Sequence, residues 1–473
     1  MAGTSMLPSI VCAALPAEAP HVAVAIVGAG ACGLSAALML SDAGVDCVLL
    51  ERDAAPSGSS ALSSGFIPAA GTQVQRAAGV ADSAEHFAAD IQAKAHGTAA
   101  SHLVAAYTQA IAPAIDALQA RHGIAFVLLD GFLYPGHSTQ RMHAVPEKTG
   151  VGLMTRLQQA AASAQIPVIG NALVRELWIA SPADAPKVQG LGYQRPDGTL
   201  EYLSCDLLIL ACNGFGGNAD MVRELLPEMR EATFAGHTGN DGSAIAWGKA
   251  LGAQLADLGG YQGHGSWAVP QGALISWALM MEGGVQLNAN GLRFHDETQG
   301  YSEASVKVLA QPGKVAWNVF DAPLLALARS FPDFCDAEAA GALKTCADAA
   351  ALSAVVGCDL DTLIATLASI DAGSVNADGR VFKRALQAPY YAVKVTGALF
   401  HTQGGLAIDA QCRVLRDDGS PFPNLLAAGG ASGGVSGNAV WGYLSGNGLL
   451  SALAGGFIAA QTAERLLQDT STP

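Results

Sequence analysis

Gly28, Gly30 and Gly33 stand in the run VGAGACG, and an acid, Glu51, follows about 20 positions on, at the end of a second apolar run. This spacing suits a dinucleotide. Gly28 permits a tight turn, Gly30 lets a pyrophosphate reach the backbone, and Gly33 lets a helix pack on a strand. The helix N-terminus then faces the phosphates, and Glu51 takes the ribose hydroxyls. Far along the chain, Gly429 to Leu450 reads GGASGGVSGNAVWGYLSGNGLL, small residues almost throughout, yet with Tyr443 and, two places on, Ser445. Two hydroxyls set among glycines invite a chemical explanation.

The elements that must position these residues follow from periodicity. HVAVAIVGAGACGLSAALMLSDAGVDCVLLERD reads as strand, helix, strand, a complete βαβ unit. Helices are expected over Ser83–Lys94, His102–His122 and Val151–Ala164, with loops and short strands from Phe126 to Thr149. A strand is expected over Ala172–Trp178. The segment Asp206–Asn218, DLLILACNGFGGN, predicts a buried central strand ending in a glycine turn that makes a second dinucleotide contact. Beyond Leu258 the chain turns aromatic and loop-rich, then helical and alanine-rich from Pro323 to Ile370. Apolar strands resume at Pro389, and a buried helix closes the chain. The expected organisation is a flexible tail at 1–20, a discontinuous α/β domain at 21–258 and 389–473, and an inserted α+β cap at 259–388.

Composition narrows the function. The 473 residues are 51% hydrophobic, enough for two cores, and the net charge of −15 offers no clustered cation surface for a phosphate backbone, so nucleic acid is excluded as partner. The nine cysteines form no CxxC pair and the eleven histidines no HExxH, so reduced thiols, no metal and a cytoplasmic location are expected. The N-terminus lacks a basic signal region, and LLSALAGGFIAA is too short to span a bilayer, so membrane insertion is not expected.

GAGACG with Glu51, SSALSSGF from Ser59, TGNDGSAIAWGKALGA from Thr238, GVQLNANGLRFHDE from Gly284, HTQGG from His401 and PNLLAAGG from Pro423 occur in one order. In that order the chain resembles the fumarate reductase and succinate dehydrogenase flavoprotein superfamily, which includes the 3-ketosteroid dehydrogenases. The resemblance runs from about Ala23 nearly to the end. It implies a Rossmann-like FAD-binding domain with the inserted cap, and substrate held between them. Ser63, Ser64 and Gly65 would border the flavin ring and Asp241 would support the cofactor. Further FAD contacts are implied at Ala29, Arg52, Ser59, Val174, Gly430, Asn447, Gly448 and Leu449. Members that attach FAD covalently use a histidine near SSALSSGF; none stands there, so noncovalent FAD is expected.

The superfamily's reaction adds or removes two hydrogens across a carbon–carbon bond beside a carbonyl. Fumarate reductases deliver the proton from a cap-helix arginine and bind carboxylate with a second arginine in a C-terminal motif. Here alignment puts Tyr301 at the first position, and GGVSGNAVWGYLSG lacks the second. Without those bidentate donors a dicarboxylate is a poor substrate. The replacement is similar to ketosteroid dehydrogenases of the 4-ene-forming kind. Carried over, Tyr443 would hydrogen-bond the carbonyl oxygen, and Tyr301 would exchange the proton with Ser445 as relay. A free tyrosine has a pKa of about 10, so Tyr301 needs either a phenolate-favouring environment or that relay. His401 stands where fumarate and urocanate reductases keep a substrate-binding histidine, which implies a second polar or anionic group on the substrate. The plainer alternatives are a buried aromatic at Tyr443, a helix-face residue at Tyr301 and a backbone-bonded histidine at 401. His264, Arg141 and His143 are further pocket candidates.

The expected activity is therefore FAD-dependent α,β-dehydrogenation of a small-molecule carbonyl compound, such as a cyclic ketone, ketosteroid or oxo-acid, with an unknown electron acceptor. The alternatives are an enoate or fumarate-type reductase running the reverse reaction, and a flavoprotein electron carrier or redox sensor without its own substrate.

Overall fold

A computed structural model describes residues 8–130, 133–180, 186–373, 375–376 and 378–471. The first sheet grows around β2 (His21–Val27), which feeds helix α1 (Ala31–Asp42) and then β3 (Cys47–Leu50), with β2 and β3 parallel. The run VAIV on β2 is covered on both faces, as a central parallel strand requires. On its other side β2 pairs in parallel with Leu200–Leu210, whose C-terminal end also pairs with Pro421–Ala427. The late strand thus returns to the same nine-stranded sheet. Helix Asn447–Ser471 packs against α1 and completes that core.

Two backbone approaches fix the turn between β2 and α1. Gly28 holds φ +102°, and a Cβ there would meet the Ala211 carbonyl oxygen at 2.6 Å. A Cβ on Gly33 would lie 1.9 Å from the Gly28 carbonyl oxygen, so only glycine lets the helix start this close to the strand.

A second, seven-stranded sheet is built on Tyr390–Thr402, which pairs antiparallel with Tyr261–Ala268 and Val315–Asp321. It has its own apolar core, centred on Trp277, Phe320, Val393 and Val395. The architecture is α/β, a Rossmann-like discontinuous domain carrying an inserted α+β cap.

Two boundaries differ from the sequence reading. The expected tail at 1–20 contains β1 (Ser9–Val11), an edge strand parallel to Leu173–Ile179; residues 1–7 lie outside the described residues. Three residues are too few to carry a period, and only the waiting sheet edge makes them a strand. The expected return to the first domain at 389 is also displaced. Tyr390–Thr402 is the central strand of the second sheet, and Thr233–Phe234, expected in the first domain, pairs with it. An apolar run predicts a buried strand but not which sheet receives it. Among the described residues no single helix is long and apolar enough to cross a membrane.

The loop leading to helix Tyr301–Leu309 is held by a buried acid. Glu297 is fully buried, and its carboxylate accepts hydrogen bonds from Arg293 (2.6 Å), Arg380 (2.6 Å) and the Gln286 backbone N–H (3.0 Å). Its backbone oxygen accepts from Trp277 Nε1 at 2.9 Å. Burial works to raise its pKa, but the two guanidiniums outweigh it, and the net direction is downward. Glu297→Gln leaves the cations under-compensated, and we expect a loss of about 3–5 kcal/mol in urea unfolding at pH 7. A depressed carboxylate stabilises fully above its ordinary value of 4.5 and loses that contribution as pH falls through the lower native value. The gap between the two proteins should therefore narrow only on the acid side.

Candidate active site

One long cleft runs between the two sheets. At one end it is lined by Gly28, Gly30, Glu51 and Arg52. Glu51 is buried, its Oε2 accepting from the Ala29 N–H at 3.0 Å and its Oε1 from the Asp53 N–H at 3.1 Å. The acid thus also ties the glycine turn to the end of β3. Ala29 and Gly33 build this wall without lining it. No side chain caps the N-terminus of α1 at Gly30, although Ser60 Oγ accepts from the Ala31 N–H at 3.2 Å. An open helix start of this kind receives an anionic group.

Ser59, Ser63, Ser64, Val174 and Asp241 line the middle. Asp241 is held by Ser243 and by Arg52, whose Nη1 also donates to the Gly239 carbonyl at 2.9 Å. Gly65 does not line the cleft: its backbone lies against Thr149, whose carbonyl would be 2.6 Å from a Cβ. Sequence reasoning missed Asn213 and Asn240, which line the cleft and both donate to Ser59 Oγ, at 3.1 and 2.9 Å. The glycine turn at 213–217 was the available signal for the first of them.

Gly430, Gly448 and Leu449 line the far end with Tyr301, His401 and Tyr443. The Tyr301 hydroxyl donates to Ser445 Oγ at 2.9 Å, just behind the cleft wall. Tyr443 packs edge-on to Tyr301 (6.1 Å between ring centroids) and to His401 (5.6 Å), so three of the four expected catalytic side chains share one wall with the fourth behind it. Asn447 stands behind the cleft. Its Oδ1 has no hydrogen-bond partner, and neither has the buried Oγ of the neighbouring Ser451, which does line the cleft, as expected of a polar atom that meets a ligand there. The glycine turn, the uncapped helix start, the buried acid and these orphaned atoms fit FAD along the cleft.

The other candidates resolve differently. His264 lies behind Tyr301, stacked on its ring at 4.7 Å, with Nδ1 accepting from the Ser266 N–H. Arg141 is buried in ion pairs with Asp82 and Asp90, and His143 is bonded to Thr72 and to the Arg141 carbonyl. These two hold the first domain together and do not line the cleft.

The far end is electrically neutral. Burial drives the pKa of His401 down to about 4 and that of His264 to about 3. Burial also raises the Tyr301 phenol well above its ordinary value, against a smaller opposing pull from Ser445, and it pushes Tyr443 upward too. Burial thus opposes phenolate at Tyr301. Among the described residues that line the cleft, Arg52 at the opposite end is the only lysine or arginine.

The chain matches the FAD binding domain family over residues 23–449. It is 29% identical over 461 residues to a probable fumarate reductase of Shewanella frigidimarina, covering 96% of this chain and 76% of that protein. It is 24% identical over 512 residues to 4-oxocyclohexanecarboxylate 2-dehydrogenase of Sinomonas cyclohexanicum, covering 86% of this chain and 87% of the other. The fold also superimposes on the solved 3-ketosteroid Δ4-(5α)-dehydrogenase of Rhodococcus jostii RHA1 with a TM-score of 0.76 at 22% identity, over 96% of this chain and 99% of that one.

The neutral histidines have a consequence for stability. Below the ordinary value of 6.5 the unfolded chain takes up a proton at residue 264 that the folded chain refuses down to about 3. Each such histidine costs up to about 1.4 kcal/mol per pH unit across that window. His264→Phe keeps a ring against Tyr301, and we expect its stability to fall less steeply between pH 6.5 and 4.5 in urea titrations; an unchanged slope would contradict the assignment.

Proposed function

Since this chain belongs to the FAD binding domain family, we propose that it removes two hydrogens from the α and β carbons of an uncharged carbonyl compound, a cyclic ketone or a ketosteroid-like molecule. The chain is an FAD-dependent oxidoreductase acting on CH–CH or C=C groups. The finer reading is carried by the 2.9 Å bond between Tyr301 and Ser445 at a neutral wall of the cleft.

Bound FAD supplies the hydride acceptor. The chain's own residues must then polarise the carbonyl and take the proton. In this reading the Tyr443 hydroxyl donates to the carbonyl oxygen, where negative charge grows as the α-proton leaves. Tyr301 oxygen accepts that proton while its own passes along the existing bond to Ser445 Oγ, and Ser445 in turn releases its hydroxyl proton to water, so neither a free phenolate nor a protonated serine forms in a place where burial opposes charge. His401 holds a second polar group of the substrate. Among the described residues no lysine or arginine lines the cleft beside Tyr301, Tyr443 and His401, which supports a ketone over a dicarboxylate. The name of the Sinomonas relative pairs a cyclic ketone with one carboxylate, so it supports the ketone but not the absence of charge.

One observation favours the reverse reaction as a second reading. A buried phenol that stays protonated holds the proton a reductase must deliver, with Ser445 placed to replace it, and the Shewanella relative is named as a reductase. Activity with an artificial oxidant, set against activity with a reduced dye, separates the two directions.

The purified protein should bleach near the flavin's visible band when cyclic ketones or ketosteroids are added without oxygen. Tyr301→Phe should slow this about 10²–10⁴-fold, and Tyr443→Phe about 10²-fold. Bleaching by no member of the panel, with dye-reduced enzyme reoxidised by unsaturated acids, would install the reductase reading. We also propose that FAD is held noncovalently: acid precipitation should leave the flavin colour in the supernatant, and colour in the pellet would contradict this.

A further inference from the structure

We infer that Gln403 sets the tautomer of His401, so that a neutral imidazole presents Nε2–H to the cleft and selects a carbonyl substrate whose second group is an uncharged acceptor oxygen. The inference rests on the reading of the cleft's far end as the substrate site. It adds the residue that decides which second group is accepted.

The direction of three linked hydrogen bonds fixes the proton. Asn447 Nδ2 donates to Ser436 Oγ at 3.0 Å, and Ser436 Oγ donates to Gln403 Oε1 at 2.9 Å. All three side chains are buried. With its oxygen engaged, Gln403 turns its Nε2 toward His401 Nδ1, at 3.2 Å. An amide nitrogen only donates, so Nδ1 accepts and the imidazole proton sits on Nε2. The Thr402 carbonyl, 3.3 Å from Nδ1, would prefer a proton there, but that would set two donors face to face between His401 and Gln403.

Reversing the whole chain is the alternative, and Asn447 argues against it. As arranged, the atom left without a partner is its Oδ1. Reversed, the buried orphan would be the amide nitrogen, and orphaned N–H groups are rarer in folded proteins than under-used carbonyls. The free edge of the ring reaches the cleft over Gly448, where a Cβ would stand 2.7 Å from His401 Nε2.

What this donor accepts follows from its charge. Burial keeps His401 neutral, and among the described residues that line the cleft the one arginine, Arg52, is engaged with Gly239 and Asp241. A ketone, ester or lactone oxygen is satisfied by a dipolar N–H. A carboxylate would be stripped of water with no cation to face.

Two ligands that differ only in this respect test the idea: 4-oxocyclohexanecarboxylate and its methyl ester, titrated into the FAD-loaded protein and read by perturbation of the flavin spectrum, which requires no turnover. We expect the ester to bind at least about tenfold more tightly than the acid, and Gln403→Met to weaken the ester about tenfold, with a smaller loss in Ser436→Ala. In ¹⁵N-histidine spectra, with the His401 signal identified by its loss in His401→Asn, the unsubstituted protein should show the Nε2–H form and Gln403→Met the Nδ1–H form. Tighter binding of the acid, or an Nδ1–H signal before substitution, overturns the inference. So does a tautomer unchanged in both Gln403→Met and Ser436→Ala. Should the tautomer behave as described while no carbonyl compound is ever oxidised or reduced, it is the proposed reaction that fails.

Discussion

A carboxylate removed from water must be matched by cations close at hand, and that requirement at Glu297 organises the cap. Satisfying it draws in Arg293 from the same loop and Arg380 from a distant one, both guanidiniums also lying over the Phe382 ring at 4.8 and 4.2 Å. The same residue anchors the Trp277 indole, which with His264 walls the Tyr301 ring. Tyr301 begins its helix four residues beyond this acid. The position of the phenol is thus set by charge pairing at a distance from the cleft.

Where the acid network is charged and closed, the far end of the cleft is polar, neutral and open. Hydroxyls, imidazoles and amides there are oriented by bonds to one another, and burial removes the option of meeting a ligand with charge. Selectivity in such a place depends on which atoms donate and which accept. That explains why Ser445, Ser436 and Asn447, behind the wall, and Gln403, which orients His401 from within it, bear on the chemistry as much as the groups that face a substrate.

Much of this was legible along the chain. The turn of Gly28 and Gly33 with Glu51 could be read because its parts lie within one βαβ unit, where local geometry leaves few choices. Glu51 nevertheless spends one carboxylate oxygen on a backbone N–H of the turn, at Ala29, and the other on that of Asp53 just beyond β3, a role that spacing did not suggest. Gly65 was placed beside the flavin by resemblance, yet its backbone is pressed against Thr149. Asn213 and Asn240 went unnoticed because asparagine in a glycine-rich loop is ordinary until a partner such as Ser59 is seen.

By itself the sequence determined the local things: a strand–turn–helix that receives pyrophosphate, the order of motifs that identifies the superfamily, and the replacement of arginine by tyrosine and serine. Those follow from residue types at short spacing, which steric and hydrogen-bonding rules constrain directly. Only the tertiary structure decided which sheet receives Tyr390–Thr402, that Ser9–Val11 becomes an edge strand, and that Tyr301 meets Ser445 across 144 positions. Apolar periodicity says that a strand must be buried without saying beside what, and a hydroxyl has no direction until a distant segment supplies its partner.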